Sequence, residues 1–161
     1  MIIRACAPSD VAAICAIYNH YIQHTVITFE EIPLAAEQMQ ERITAYTRLY
    51  PWLVCEDAGE IVGYAYASKW KERSAYKHTA EVTVYLKHDA TQKGYGSALY
   101  AELIEQLKAK GCHTLLGCLA IPNEPSAKLH ERFGFKQIAH FTEVGRKFDR
   151  WIDVGYWQKL L

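Results

Sequence analysis

The chain has 161 residues, half of them hydrophobic and 22% charged, which suits a single packed domain and excludes long-range disorder. Eighteen Lys and Arg balance eighteen Asp and Glu, so the electrostatic footprint of a nucleic-acid binder or a polybasic membrane-surface protein is missing. Apolar runs such as Val11–Ile17 fall far short of the roughly 20 residues that span a bilayer. Met1-Ile-Ile-Arg-Ala5 has no basic segment leading into an apolar core, so no secretory signal is expected. Five irregularly placed cysteines argue for a reducing compartment rather than a disulfide framework. A soluble cytoplasmic domain is the expectation.

No repeat or linker divides the chain, and short apolar strands alternate with amphipathic helices. Ile2–Arg4 reads as a first strand. Ser9-Asp10 offers N-cap chemistry for a helix over 10–23 that carries Val11, Ile14, Ile17, Tyr18 and Tyr21. Thr25–Phe29 reads as an extended loop, and Pro33 opens a second helix over Leu34–Leu49. Trp52–Glu56 and Ile61–Ser68 form a hairpin through the turn Asp57-Ala-Gly-Glu60. A polar connection, Lys69–Lys77, leads to a strand over Glu81–Leu86. The clearest helix spans 94–110, with Leu99, Leu103, Ile104 and Leu107 inward and Gly111 ending it. His113–Ile121 is a strand, Asn123 caps a helix over 124–132, and Gly134 ends that helix. Phe135–Val144 and Trp151–Leu160 close the chain as an antiparallel pair. The outline is a mixed α/β (α+β) domain, with a central sheet of about six to seven strands and helices on both faces.

One stretch stands apart. After the strand Val82–Leu86 comes Gln92-Lys93-Gly94-Tyr95-Gly96-Ser97, and a strong helix starts there. Glycines at 94 and 96 let backbone amides approach an anion, and the free N–H groups and dipole of the helix start face it. A dinucleotide fingerprint needs Gly at 99, where Leu stands, and the strand His113–Ile121 holds no acidic residue. A P-loop needs Lys after the glycine, whereas Lys93 precedes it. Both common nucleotide motifs fail, and the stretch is either another anion site or a helix start with two incidental glycines.

Thr91-Gln92-Lys93-Gly94-Tyr95-Gly96 resembles the pyrophosphate loop of the GNAT N-acetyltransferases, with Thr91 departing from the family's Gln or Arg. Asn123-Glu-Pro-Ser126-Ala-Lys-Leu-His130-Glu-Arg-Phe-Gly134-Phe135 is similar to a second block of that family, with His130 where Tyr is usual. Further similarity covers nearly the whole chain: Asn19-His-Tyr-Ile, Thr28-Phe29-Glu30, Tyr50-Pro-Trp-Leu-Val54, Arg73-Ser-Ala-Tyr76, Glu81-Val-Thr-Val-Tyr85 and Trp151-Ile-Asp-Val-Gly-Tyr-Trp-Gln158. These segments resemble the phosphinothricin and methionine sulfoximine/sulfone acetyltransferases. Ile152 departs, because phosphinothricin enzymes tend to carry His there.

The resemblance implies a GNAT fold and acetyl-coenzyme A as co-substrate with no metal. It also implies a small amino-acid-like acceptor acetylated on its α-amine, and a homodimer. Glu81 is expected to take the proton from the attacking amine, and His130 to protonate the leaving thiolate or position a water. Coenzyme contacts are expected from Val84, Tyr85, Leu86, Gln92, Lys93, Gly94, Tyr95, Gly96, Ser97, Asn123 and Arg132. Acceptor contacts are expected from Phe29, Lys71, Glu72, Arg73, Tyr76, Val82 and Thr83 beside Glu81, with Arg73 holding a carboxylate and Tyr21 and Trp151 as apolar walls. Cys112-His113 and Cys118 lack metal-ligand spacing. Direct attack in a ternary complex is preferred, because no cysteine sits in a nucleophile setting. The alternatives are acetylation of a peptide N-terminus or another amine, and a coenzyme-binding sensor without turnover.

Overall fold

A computed structural model of the chain describes residues 1–90 and 93–161. Seven strands run as β1 (Ile2–Ala5), β2 (Trp52–Asp57), β3 (Glu60–Lys69), β4 (Thr79–Leu86), β5 (Thr114–Ile121), β6 (Lys136–Lys147) and β7 (Arg150–Leu160). The helices are α1 (Val11–His24), α2 (Ala36–Thr47), α3 (Tyr95–Ala109) and α4 (Glu124–Arg132). The strands form one sheet in the order β1-β2-β3-β4-β5-β7-β6. Neighbours are antiparallel except β4 and β5, which run parallel. Among the described residues no helix is long and apolar enough to cross a membrane.

Alternation along the strands divides the core between the two faces. Leu53, Ala65, Ala80, Val82, Leu115 and Leu119 pack beneath α3, against Leu99, Tyr100, Leu103 and Leu107. Val54 and Tyr64 point the other way, into α1 and α2 with Ile14, Tyr18, Ile22, Met39 and Ile43. Tyr85 shares that second face, its ring 5.2 Å from Tyr18 and 5.0 Å from Tyr21. By the period of two, Thr79, Glu81 and Thr83 also lie on the α1–α2 face.

Several boundaries differ from expectation for local reasons. Asp10 does not cap α1 with its side chain; its carboxylate takes two bonds from Arg4, at 2.7 and 2.9 Å, and one from the Ala7 N–H at 2.8 Å. Helix α2 starts at Ala36 rather than Leu34, because Leu34 spends its N–H and C=O on the side chain of Asn19, at 2.8 and 2.9 Å. Strand β6 runs on to Lys147, and the turn to β7 uses Phe148 and Asp149, both at positive φ (51° and 58°) without a glycine. The expected hairpin turn after β2 is present, with Ala58 and Gly59 at φ of 50° and 81°.

Candidate active site

Strands β4 and β5 pair over only three positions, Thr79–Thr114, Ala80–Leu115 and Glu81–Leu116, and then part. Beyond Glu81 the edge of β4 that faces β5 has no strand partner, although its other edge stays paired with β3 as far as Leu86. Backbone donors and acceptors on Val82–Leu86 are thereby available to a ligand lying along the wedge. A cleft of about 50 Å³ opens there, lined among others by Val82, Thr83, Val84, Tyr85, Cys118 and His130. Tyr21 braces the far end by donating its hydroxyl to the Leu86 carbonyl at 2.6 Å.

The wedge leads to the start of α3. Gly94 is the N-cap at φ 82°, a left-handed conformation that a side chain would strain. A Cβ on Gly96 would make ordinary contacts, 3.4 Å to Leu129 and 3.7 Å to Leu86, so the protein itself does not demand that glycine. Arg132 reaches across from α4 to Ser97 at 3.1 Å and brings a guanidinium to the helix start, where Lys93 is exposed. Free N–H groups, a helix dipole and these cations form an anion cradle. Gln92, expected to contribute here, lies with Thr91 outside the described residues. The Tyr95 side chain turns away: it is buried, and its hydroxyl donates to Asp57 at 2.6 Å, leaving only backbone for a ligand.

A second cavity, about 380 Å³, sits on the α1–α2 face of the sheet beyond the reach of those helices. Thr79, Thr114, Leu116 and Gln158 form its floor, Trp70, Lys71 and Tyr76 one wall, and Ile138, Phe141 and Tyr156 the other. Glu81 lines neither cavity itself but stands in β4 between residues that do. Two residues before it Thr79 lines the larger one, and directly after it Val82 and Thr83 line the cleft. The Glu81 side chain is partly buried, and burial pushes its pKa up, with Lys71 opposing. A carboxylate with raised proton affinity at the junction of two cavities suits proton abstraction.

His130 borders the cleft but is 2% exposed. Its Nδ1 lies 2.8 Å from the Ser126 carbonyl and its Nε2 2.9 Å from the Tyr100 hydroxyl. The carbonyl can only accept, so Nδ1 carries the proton and Nε2 accepts from Tyr100. Burial also pulls the pKa of the ring down. A neutral imidazole with both nitrogens engaged has no proton to offer the cleft in this arrangement, which corrects the direct-acid role expected for it. Asn123 caps α4, its Oδ1 accepting from the Ser126 N–H at 3.3 Å, and it borders the cleft as well.

Other expected contacts scatter. Arg73 is exposed and does not line the larger cavity, whereas Lys71 and Tyr76 do. Glu72 is exposed and pairs with Lys69 at 3.2 Å. Trp151 is 60% exposed beneath Arg146, away from both cavities. Phe29 packs on Gly145, where a Cβ would come within 2.2 Å of its ring. Sequence reasoning passed over Tyr100, Cys118 and the wall from β6 and β7, because only the strand order β5-β7-β6 brings that hairpin beside Thr114 and Leu116. A parted parallel pair at the head of a glycine-led helix, next to a half-buried carboxylate, can take an extended ligand ending in an anion beside a group able to accept a proton.

The GNAT acetyltransferase domain model matches residues 3–155. The chain belongs to the GNAT family. This acetyltransferase is 38% identical over 157 residues to phosphinothricin N-acetyltransferase from Streptomyces viridochromogenes, covering 98% of this chain and 86% of that one. It is 35% identical to the L-methionine sulfoximine/L-methionine sulfone acetyltransferase of Pseudomonas aeruginosa, covering 97% and 92% of the two chains. Its fold matches a phosphinothricin acetyltransferase from Sinorhizobium meliloti solved with acetyl-coenzyme A, with a TM-score of 0.97, 32% identity and coverage of 99% and 88%. The enzyme is thus an acetyl-coenzyme A-dependent N-acetyltransferase, and the wedge and cradle fit an extended pantetheine arm ending in a pyrophosphate.

Proposed function

We propose that the enzyme transfers acetyl to the α-amino group of a small amino acid or analogue of the methionine sulfoximine/sulfone or phosphinothricin type, by direct attack in a ternary complex. The position of Glu81 between the two cavities carries this reading. An acceptor in the larger cavity presents its amine past Glu81 to whatever the parted strands hold. Acetyl-coenzyme A supplies the activated acetyl thioester. Backbone N–H groups on the free edge of β4 are the donors available to its carbonyl, and one such donor is typically worth about 2.7–4 kcal/mol in the transition state. Glu81 accepts the ammonium proton, directly or through a water, while His130 holds the Tyr100 hydroxyl at the border of the cleft.

The aromatic walls suit a compact apolar or sulfur-bearing side chain, and Lys71 is the cation that borders the cavity. Lys71 therefore takes the place of Arg73 as carboxylate anchor in this proposal. Ile152, buried in β7, stands where phosphinothricin enzymes tend to carry His, so sulfoximines and sulfones are the preferred acceptors. The apolar side chains of Ile138, Phe141, Val144 and Phe148 are exposed along one hairpin and support the expected homodimer, which sedimentation velocity checks directly.

Initial-rate kinetics with acetyl-coenzyme A over a panel of amino acids, sulfoximines, sulfones, their methyl esters and short peptides test the whole reading. Intersecting double-reciprocal plots with free amino-acid analogues preferred are the expected result. Parallel plots would overturn direct transfer, a preference for peptides would move the acceptor class, and binding without turnover would leave a sensor.

A further inference from the structure

Strand β6 does not pair evenly with β7. Phe141 stands opposite Val154 and Gly145 opposite Ile152, so Thr142, Glu143 and Val144 together face Asp153 alone. Such a bulge bends the strand and leaves backbone groups without ladder partners. The Asp153 carboxylate spans the widened gap. Its Oδ1 accepts from the Glu143 N–H at 2.8 Å, and its Oδ2 lies 2.6 Å from Nε2 of His140. Glu143 stands at φ 53°, a left-handed conformation that strains any residue with a side chain, and that bond holds it there. One carboxylate thus takes hold of the residue before Phe141 and the residue two after it.

His140 is exposed and Asp153 half-buried, and an ion pair so placed adds little to global stability. Its consequence is local. Neither side chain lines the larger cavity; His140 borders a hollow beside Gln137 and Trp157 instead. By the period of two, Asp153 shares the face of Trp157, which packs into the core under α3, whereas Tyr156 lines the cavity on the other face. Asp153 therefore acts from behind the sheet and touches no acceptor. Phe141 does line the cavity, its ring meeting that of Tyr156 edge-on at 5.9 Å. On β6 the wall is Ile138, Ala139 and Phe141, and the bulge begins at the next residue.

We propose that Asp153 is a positioning residue for acceptor recognition: it fixes the backbone on both sides of Phe141, and the Phe141 ring sets how large an acceptor side chain the cavity admits. The inference rests on the acetyl-transfer reading above, and Lys71→Ala distinguishes their failures. A wild type without turnover, or an unaltered acceptor KM in Lys71→Ala, defeats the placing of the acceptor in that cavity and this inference with it. A responsive Lys71→Ala beside unresponsive Phe141 and Asp153 variants defeats this inference alone.

The test compares Phe141→Ala, Asp153→Ala, the two combined, and Asp153→Ala combined with Glu143→Gly, by steady-state kinetics. Phe141→Ala should raise the KM of small acceptors about tenfold, the scale of one lost apolar contact, and shift the kcat/KM ratio about tenfold towards larger ones. Asp153→Ala should raise the same KM, with the KM for acetyl-coenzyme A unchanged and kcat altered less. Combined with Phe141→Ala it should add nothing, because Asp153 acts through Phe141. Glycine keeps a positive φ at 143 without strain, so Glu143→Gly should recover most of the Asp153→Ala loss. A merely structural Asp153 would give additive losses, raise both KM values or resist that rescue, and each result overturns the proposal. Phe141 is also exposed on the hairpin, so sedimentation velocity accompanies the kinetics. A rise in acceptor KM that appears only where self-association is lost overturns the proposal as well. Should Asp153→Ala fail to fold, Phe141→Ala and Phe141→Trp still decide: an unchanged acceptor-size ratio in both overturns it.

Discussion

Gly117 lies against the face of His130, so that a Cβ on it would come within 2.2 Å of Nε2 and 2.5 Å of Cδ2. The imidazole fills the space where a β5 side chain would stand, and from there it receives the Tyr100 hydroxyl. Strand β5 thus gives up one side chain so that a polar pair can border the acetyl cleft.

Gly117→Ala should therefore force the ring off Tyr100 and cost about 1–3 kcal/mol, the usual range for overpacking, read by chemical denaturation. His130 also predicts a pH dependence. Burial holds its folded pKa below the ordinary value near 6.5, so the unfolded chain binds the proton more tightly. The stability it contributes is present above pH 6.5 and is lost as pH falls through the folded value. Denaturation midpoints of wild type and His130→Gln, measured between pH 8 and pH 5, should differ in this slope, and equal slopes would refute it.

Glu81→Gln should lower kcat about 10²–10⁴-fold, the span for a general base, with little change in acetyl-coenzyme A affinity by calorimetry. The folded pKa of Glu81 is raised, so its ionisation opposes folding: the contribution is full below the unfolded value and lost as pH rises through the folded one. The variant should accordingly melt higher than the wild type at neutral pH while turning over more slowly. A variant that is both slower and less stable would point to a structural role instead.

Gly94→Val places a β-branched residue at φ 82° and crowds the anion cradle. Acetyl-coenzyme A affinity should fall at least about tenfold, because the added side chain keeps an anion from the amides at the start of α3. Titration calorimetry with dephospho- and full coenzyme A checks it, and unchanged affinity would place the pyrophosphate elsewhere.

Lys71→Ala should raise the KM for free amino-acid acceptors about tenfold or more, the scale of a lost charge-assisted hydrogen bond. The methyl esters should be poor substrates of the wild type and insensitive to the substitution. Arg73→Ala, outside the cavity wall, should change either KM less than about twofold. The opposite ranking would restore Arg73 as the anchor.

The order of elements, the mixed sheet and the glycine-led helix were legible because periodicity, caps and turn residues are local signals. Leu99, Leu103 and Leu107 mark one helix face without any knowledge of what they touch. Glu81 was singled out as a carboxylate opening a strand before the loop, although β4 begins two residues earlier, at Thr79. Lys71 and Arg73 could not be ranked, since two exposed cations two residues apart differ only in where the chain turns between Lys69 and Thr79. Tyr100 was not singled out, and its polar task appears only when α4 lays His130 over it. Lys147 lay beyond the strand expected to end at Val144, and its partner, the Thr28 carbonyl, is 119 residues away.

The three-pair seam between β4 and β5 bears on mechanics as well as on binding. It leaves β1–β4 and β5–β7 as two half-sheets joined at one end, with α3 and α4 bridging beneath. A thioester arm lodged in the wedge would act as a temporary eighth strand, lacing the halves together. Amides of Val82–Leu86 on the open edge should exchange with deuterium within ordinary loop times and slow sharply when acetyl-coenzyme A is added. At about 100 times the Kd the whole fold gains roughly 2.7 kcal/mol by mass action. Loading the donor substrate thus stiffens the frame from which Glu81 works.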